Sequence, residues 1–554
     1  MLILRYDKYE IIQLIFNREI DEKMRKKFNL QEIIDVIGAE TFALGKLGKA
    51  PSDFVIENIS TDTRERLDNA IFIALIGEKF DAHNFLEEAI QQGNKVLVIS
   101  NRELAKKWSE KITVLLVNNT IAALLDIAGL YRDKLKTEVI SLTGSVGKTS
   151  TKDCIAQALG SSAEVYKTAK NLNNNFGVSY TLLDIPENID FAIIEVGMDG
   201  KGQIEECAKA IKADLSLITN IGTSHIERLG SRKDILQAKS EILTDAKSEA
   251  PLLINAEDPY LLTLADEVKS ERAVIFLDTN GLSQGIRSVL AEDADLPIEA
   301  NENSINGLAD AAFECGRLLD KQAKKFGKNI SGTRYKLKNL KIEAGGSSFE
   351  IYKKTGGSSD GFKLLIEIKV PTLGPQVTEN ILFAVAVADI YGRDLEKVKY
   401  SFADGLNISS GRQEISKIKN HNLLIDDSYN ASPESLKTAF ILVDKLRETS
   451  DYKKIIAVIG GVNELGYYRK QLHADIAAAL ANSKINEVYL IGPEAEHMSK
   501  IITDKSPEKV AKVFTSNEQI EEHLLNQDIK DSIILFKGSR GFALDEVANA
   551  FKNN

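Results

Sequence analysis

The amino-acid sequence predicts an α/β fold made of successive open, mostly parallel sheets, and three observations carry that reading. The first is Thr143-Gly144-Ser145-Val146-Gly147-Lys148-Thr149-Ser150, which follows the apolar run Val139, Ile140, Leu142 and precedes a helical pattern over 151–159. The second is a set of short apolar runs at 191–196, 215–219 and 251–255 with helical patterns between them. That is the βα alternation of a parallel sheet covered on both faces. The third is the return of the same alternation, after a break, at 423–425, 455–459, 487–491 and 532–536.

Taken in order, residues 1–27 read as a charged helical extension. Residues 28–136 form a small α/β domain, with strands over 70–75 and 95–100 and a helix over 85–92. The central region, 137–394, starts at the glycine-rich turn and is interrupted by an insertion over 286–333 that is acidic and then helical over 305–325. A hairpin follows, with strands over 348–354 and 363–370 and a Gly/Ser tip over 356–361. A helix over 377–391 stops at Gly392. The third region, 395–554, is a further open α/β sheet.

A chain of 554 residues is too long for one core. Its 43% apolar and 27% charged residues are globular values. A formal charge of −11 argues against a general nucleic-acid or anionic-membrane binder. Cys154, Cys207 and Cys315 make no disulfide framework and no metal spacing, as expected of buried thiols in a reducing cytosol. Arg5, Asp7, Lys8, Glu10, Arg18 and Glu19 break any signal-peptide core, and no window is long and apolar enough to span a membrane. A soluble, cytoplasmic protein is the expectation.

The glycine-rich turn has the layout of a phosphate cradle. Glycines let backbone N–H groups close around phosphate oxygens, and the following helix adds partial positive charge. Lys148 would reach the outer phosphates, and Thr149 would hold Mg²⁺. The spacing is short, with two residues between Gly144 and Gly147 and Leu at position 142. Glu195 ends a buried strand, where a carboxylate can share Mg²⁺ with Thr149, or simply cap a helix. His225 lies just past another strand end and suits a metal or a phosphoryl group, or a structural hydrogen bond. Lys239 is on a helix, where a solvated lysine is the ordinary alternative. Asn173, Asn174 and Asn175 suit turns as well as sugar or phosphate contacts. Asp426-Asp427-Ser428-Tyr429-Asn430 and Lys537-Gly538-Ser539-Arg540-Gly541 end strands of the third region. The first could bond a ribose and the second a substrate carboxylate.

Together these motifs resemble the Mur ligase family, ATP-dependent amide-forming enzymes of cell-wall precursor assembly. The order is Ser60-Thr61-Asp62-Thr63-Arg64, then Gly77 to Phe85 with Asp81-Ala82-His83, the cradle, the Asn cluster, Glu195-Val196-Gly197 and His225. Ala238-Lys239-Ser240-Glu241, Asn255-Ala256-Glu257-Asp258, Glu379-Asn380, Gly411-Arg412, Asp427, Asn463-Glu464-Leu465-Gly466 and Lys537-Gly538-Ser539-Arg540 follow. Asp-Asp-Ser-Tyr-Asn-Ala-Ser-Pro and Lys-Gly-Ser-Arg point to the member that adds D-alanyl-D-alanine to UDP-N-acetylmuramoyl-tripeptide.

The resemblance implies three domains: one for the UDP substrate, a central P-loop ATPase-type parallel sheet, and a C-terminal Rossmann-like sheet that closes over the nucleotide. It implies that Gly144, Ser145, Val146, Gly147, Lys148, Thr149 and Ser150 hold phosphates and that Thr149, Glu195, His225 and a carbamylated Lys239 serve Mg²⁺. Lys148, Glu195, His225 and Lys239 are the expected catalytic set. Asn255, Asp258, Asn380, Arg412 and Asp427 would bind the rest of ATP. Ser60, Thr61, Asp62, Thr63, Arg64, Asp81, His83, Phe85, Asn173, Asn174, Asn430, Lys537, Ser539 and Arg540 would bind substrates. A peptide carboxylate would take the γ-phosphate, and an amine would displace phosphate from the acyl phosphate, in a monomeric enzyme.

Four positions depart from the family pattern: Ser141 and Ala82 stand for glycines, Gln376 for a histidine, and Gly461 for an acid. A Mur-type ligase with another amine acceptor, a catalytically silent binding protein and a nucleotide switch are the competing readings. Lys148, Thr149, Glu195 and Lys239 are all present, which disfavours the silent one.

Overall fold

Three sheets, each built from one stretch of the chain, organise the structure. It is a computed structural model that describes residues 28–64, 66–77, 80–279, 332–343, 345–355, 361–372, 374–407 and 411–553. The expected extension over 1–27, the helix over 305–325 and most of the hairpin tip lie outside the described residues.

The first stretch runs α1 (Leu30–Ile37), β1 (Glu40–Phe42), β2 (Asn58–Ser60), β3 (Ala70–Ile73), β4 (Asn94–Ile99), β5 (Thr113–Leu116) and α2 (Thr120–Lys134). Its strands pair in the order β1-β5-β4-β3-β2, all parallel except β1. Asn29 starts α1 by accepting from the Gln31 N–H at 2.8 Å, while Glu32 reaches back to the Asn29 N–H at 3.2 Å. This reciprocal cap satisfies donors that the helix itself leaves open.

The second stretch contains β6 (Glu138–Thr143), α3 (Lys148–Gly160), β7 (Val165–Lys167), α4 (Asn175–Leu183), β8 (Phe191–Glu195), α5 (Gln203–Ile211), β9 (Leu215–Ile218), α6 (Arg232–Ser240), β10 (Leu252–Asn255), α7 (Pro259–Val268) and β11 (Val274–Asp278). Strands β12 (Arg334–Glu343), β13 (Gly346–Lys354) and β14 (Lys363–Val370) follow, then α8 (Pro375–Ile390) and α9 (Leu395–Ala403). The sheet order is β14-β13-β12-β11-β10-β9-β6-β8-β7, antiparallel only at β12-β13 and β13-β14.

Alternate residues of the central strands feed two cores. Val139, Ala192 and Ile194 join the core under α2, α4 and α5, whereas Ile140, Leu142 and Ile193 join the core under α3 and α8. Because both faces are buried, these strands read as continuous apolar runs. Helix α9, assigned above to the third region, packs on β14 and α3 through Val398 and Phe402.

The third stretch holds β15 (Glu414–Ile418), β16 (Asn422–Asp426), α10 (Pro433–Thr449), β17 (Lys454–Gly460), α11 (Arg469–Asn482), β18 (Glu487–Ile491), β19 (Val510–Phe514) and β20 (Ser532–Lys537). They pair as β15-β16-β20-β17-β18-β19, parallel except for β15. The fold is therefore the expected α/β arrangement of three sheets.

Helix α2 ties the first stretch to the second. Arg132 donates to the carbonyls of Ile211 at 3.0 Å and Lys212 at 3.3 Å and to Asp214 Oδ2 at 2.8 Å, which also accepts the Val139 N–H at 2.8 Å. Both side chains of the ion pair are buried. Arg132→Ala would leave the Asp214 carboxylate to Lys247 and the Val139 N–H and would unpair the Ile211 and Lys212 carbonyls. It is expected to cost about 1–3 kcal/mol, read as a lower urea midpoint by fluorescence of the single tryptophan, Trp108.

Candidate nucleotide site

The cradle lies between β6 and α3, and its shape requires its glycines. Gly147 has φ 86°, in the left-handed region. A Cβ on Gly144 would lie 1.9 Å from Thr219 Oγ1, inside any possible contact. The turn is held from the end of β9. Asn220 Oδ1 accepts the Val146 N–H at 2.9 Å and Asn220 Nδ2 donates to the Val146 carbonyl at 3.0 Å. Thr219 Oγ1 donates to that same carbonyl at 2.7 Å, and the Gly222 N–H donates to Ser145 Oγ at 2.8 Å. No side chain caps α3, so its first-turn amides, at Lys148, Thr149 and Ser150, are available to an anion.

Two lysines converge on one atom. Lys148 Nζ donates to the Gly144 carbonyl at 2.7 Å and Lys239 Nζ, from α6, donates to it at 2.9 Å. Burial pushes the Lys148 pKa down, with Glu195 opposing that shift and Arg412 adding to it. Burial, and then the neighbouring Lys148, push Lys239 well below the usual lysine range.

Glu195 ends β8 and is 1% exposed. Asn173 Nδ2 donates to its Oε1 at 2.8 Å, while its Oε2 has no hydrogen-bond partner and lies 3.6 Å from Lys152 Nζ. Thr143 Oγ1 is likewise buried without a partner, and Thr149 is buried in the first turn of α3. Unsatisfied hard oxygens beside a phosphate cradle fit Mg²⁺. Among the described residues no cluster of three His, Cys, Asp or Glu side chains could hold a metal. The protein would thus supply part of a shell that phosphate and water complete, as Mg²⁺ favours. His225 adopts φ 66°, and its Nδ1 lies 2.7 Å from Glu464 Oε2 of the third stretch. That contact holds the Glu464 carboxyl below its usual range.

Helix α8 closes the other side. Asn380 Oδ1 accepts from Thr151 Oγ1 at 3.0 Å, and Asn380 and Gln376 both flank Gly147. Asn255 Nδ2 donates to Glu379 Oε1 at 2.8 Å. Asp258 caps α7 through the Tyr260 N–H at 2.9 Å and holds the Ile221 N–H at 2.7 Å. Burial raises its pKa and Arg232 pulls it back. Asn174 caps α4 through the Gly177 N–H at 2.9 Å.

From the third stretch, Arg412 lies 4.1 Å over the Tyr429 ring, with a buried Nε that has no hydrogen-bond partner. Arg540 flanks the same ring at 5.8 Å and bonds Asp545 at 2.7 Å. Asp427 accepts from Lys537 Nζ at 2.6 Å, and the same ammonium reaches the carbonyl of the exposed Asn430 at 3.3 Å. Ser539 Oγ accepts the Asn463 N–H at 3.0 Å. A Cβ on Gly461 would lie 3.1 Å from the Phe542 ring, so the family's acid would need that ring to give way.

The first-stretch residues form a separate cluster at the carboxyl ends of β2, β3 and β4. Burial opposes the Asp62 charge, but the Arg64 side chain and N–H hold its carboxyl below the usual range. Ser60 Oγ donates to the Asp62 carbonyl at 2.8 Å, and Thr61 pairs with Tyr180 of α4. Thr63 is half-buried beside them. His83 Nδ1 lies 2.6 Å from Asp81 Oδ1, and its Nε2 accepts the Ser100 N–H at 3.0 Å. Phe85 stacks on Phe80 at 5.2 Å.

The structure thus gathers Lys148, Thr149, Glu195, Lys239, Asn173, Asn380 and Arg412 around one turn, and places Asn174, Asn255 and Asp258 in bonds that shape it. Sequence reasoning gave no role to Asn220, Lys152 or Glu434. In the sequence Asn220 is one residue of the loop that leads to His225, Lys152 is one lysine of a helical pattern, and Glu434 follows a helix-start signal, so none stands out.

Burial, with Glu257 adding and Asn255 opposing, raises the Glu379 pKa to about 8. Between roughly pH 4.5 and 8 the unfolded chain has released this proton and the folded one keeps it, so stability falls as pH rises through that window. Glu379→Gln keeps the acceptor for Asn255 and removes the titration. Its urea stability should exceed the parent's by roughly 2–4 kcal/mol at pH 8.5 and match it near pH 4.5; equal pH profiles would exclude the raised pKa.

Known proteins bear on this geometry. The family description "Mur ligase middle domain" matches residues 142–294, and "Mur ligase, glutamate ligase domain" matches 411–540. UDP-N-acetylmuramoyl-tripeptide–D-alanyl-D-alanine ligase of Bacillus subtilis is 31% identical over 495 residues, covering 89% of this chain and 92% of its own. The Escherichia coli enzyme of the same name is 26% identical, covering 91% and 95%. The crystal structure of MurF from Acinetobacter baumannii superposes with TM-score 0.72 at 23% identity, over 96% of this chain and 100% of that one. MurF ligase from Thermotoga maritima, solved in complex with ADP, gives 0.67 at 22%, over 90% and 97%. Identity of this extent, running through both the cradle and the Arg412-to-Arg540 segment, makes this chain a member of the Mur ligase family.

Proposed function

We propose that this chain is the ATP-dependent ligase that joins D-alanyl-D-alanine to UDP-N-acetylmuramoyl-tripeptide, releasing ADP and phosphate. The observation that carries it is the paired approach of Lys148 and Lys239 to the Gly144 carbonyl, with the Glu195 carboxylate near enough to act on the Lys148 charge. Relatives of that name along most of the chain support it.

In this reading the cradle amides and Lys148 hold the outer phosphates of ATP and offset the charge that gathers as the peptide carboxylate attacks the γ-phosphorus. The β–γ bridge breaks, ADP leaves, and the carboxyl becomes an acyl phosphate. The dipeptide amine then attacks the carbonyl carbon, loses a proton, and expels phosphate as the amide forms. Thr149, Glu195, His225 and Lys239 would hold Mg²⁺, which when bound supplies Lewis-acid stabilisation of phosphoryl oxygens. Burial and the neighbouring Lys148 favour the neutral amine of Lys239, the form that adds CO₂ to give a carbamate and release a proton. The carbamate would exchange a crowded cation for an anion.

Asn255, Asp258, Asn380, Arg412 and Asp427 frame the nucleoside end of ATP. Ser60 to Arg64, Asp81, His83 and Phe85 hold the uridine end of the peptide substrate. Asn173, Asn174, Asn430, Lys537, Ser539 and Arg540 position the reacting peptide and the dipeptide. The working division is 28–136, 137–403 with α9 included, and the remainder to 554, in a cytoplasmic monomer.

Phosphate release with ATP, Mg²⁺ and UDP-N-acetylmuramoyl-tripeptide should require D-alanyl-D-alanine and match the mass gained by the product. Release that ignores the dipeptide would assign another amine, and no release would remove the ligase reading. Lys239→Ala should lose about 10²–10³-fold in ligation rate and recover part of it with added formate or acetate. Full unsupplemented activity would refute the carbamate.

A further inference from the structure

The segment that follows β9 has two working faces. One sets the cradle, through Asn220 on Val146 and Gly222 on Ser145. The other receives the third stretch. Glu434, in the first turn of α10, places Oε1 2.8 Å from the Thr223 N–H and 2.9 Å from Thr223 Oγ1. The Glu464 carbonyl accepts the Glu227 N–H at 3.2 Å, and Tyr468 donates to the Gly230 carbonyl at 3.4 Å.

Glu434 stands beside the cradle itself. A Cβ on Gly222 would meet Glu434 Cδ at 3.0 Å and Ser145 Cβ at 3.1 Å, so the glycine leaves room for the carboxylate to reach the turn. Glu434 is 2% exposed, and its Oε2 has no hydrogen-bond partner. A carboxylate buried with one oxygen unsatisfied is costly. It is tolerable here because the other oxygen takes two donors from Thr223.

We propose that Glu434 is a positioning residue for phosphoryl transfer: by holding Thr223 it fixes Gly222 and Ser145, so the cradle takes its working shape only when the third stretch is docked. The unsatisfied Oε2 is a cost of that docked state, one that nucleotide bound at the cradle would offset. This inference rests on the ligase reading for its kinetic arm alone.

The test uses the full chain as parent, Glu434→Ala, Glu434→Gln and Thr223→Val. Glu434→Ala should lower kcat for amide formation about 10–100-fold, with KM for ATP within about threefold. Phosphate released per amide should rise above one, because a loosely set site admits water to the acyl phosphate. Glu434→Gln, whose amide oxygen still accepts both donors, should recover most of the rate and the one-to-one ratio. Parental kcat and ratio in Glu434→Ala, or equal loss in Glu434→Gln, would overturn the proposal.

If Glu434→Ala does not fold, Thr223→Val must show the same changes in milder form, and parental behaviour there would overturn the proposal too. Small-angle scattering with Mg²⁺ and a non-hydrolysable ATP analogue reads closure without any acceptor. The parent should compact and Glu434→Ala should not; equal compaction refutes the role of Glu434 even if the dipeptide proves not to be the acceptor.

Discussion

Two amine side chains hydrogen-bonded to one carbonyl oxygen set the terms for everything around them. Lys148 and Lys239 both end at Gly144 O, and two ammonium groups that close cannot both stay charged without an anion. The site offers two remedies. A bound polyphosphate would supply negative charge to Lys148, and burial pushes the Lys239 pKa well down, favouring its neutral form. The nearest carboxylate, Glu195, does not close the gap, because Asn173 takes one oxygen and Lys152 stands 3.6 Å from the other. The side chains around Gly144 therefore carry an excess of positive character that an anionic ligand would offset.

The sheet explains why these groups meet. Strand β6 lies between β9 and β8, and the chain leaves it toward β7 and β8 on one side before returning to β9 on the other. Loops part at such a point, opening a crevice at the carboxyl ends of the strands. Gly144, Glu195 and Thr219 occupy the ends of those three strands. The cradle is short by two residues against the usual pattern, yet it does not need the missing loop. Asn220 and Thr219 grip Val146 from outside the turn and replace internal bonds with bonds to β9.

Sequence reading recovered several central strands because burial on both faces leaves uninterrupted apolar runs, as at Phe191–Glu195 and Glu487–Ile491, but it gave none at the interior Thr113–Leu116 or Val274–Asp278. Nor did it give a strand at Val165–Lys167 or Val510–Phe514, which lie at sheet edges, are less buried and carry lysines that break the apolar run. Motif residues at strand ends were legible as a group, since phosphate chemistry narrows the choice of residue. Their division of labour was not. Asn174 and Asp258 cap helices here, and a capping Asn or Asp has the same local signature as one that binds a ligand. Glu434 was hidden by the same logic: Ser432 and Pro433 announce a helix start, and an acid in the next position needs no further explanation until its partner, more than two hundred residues away, is seen.

The distance along the chain between the two halves of the site has a physical use. An acyl phosphate survives only where water is kept out, while ATP and a nucleotide-linked peptide must enter and ADP must leave. One rigid body cannot serve both needs. In the proposed reaction the phosphates would be held by the second stretch, and Arg412, Asp427 and Glu434 would be brought by the third, so a dry site would need the docked arrangement. The contacts from the third stretch to the segment after β9 include hydrogen bonds and one His–Glu pair, which exchange readily with water when the two parts separate. Beside them Ile226 and Leu229 share an apolar core with Leu465, which favours the docked arrangement. Separation therefore has an apolar cost as well as a polar exchange, and the arginine with an unpartnered Nε at the cradle mouth gives an anionic ligand a further hold on the docked form.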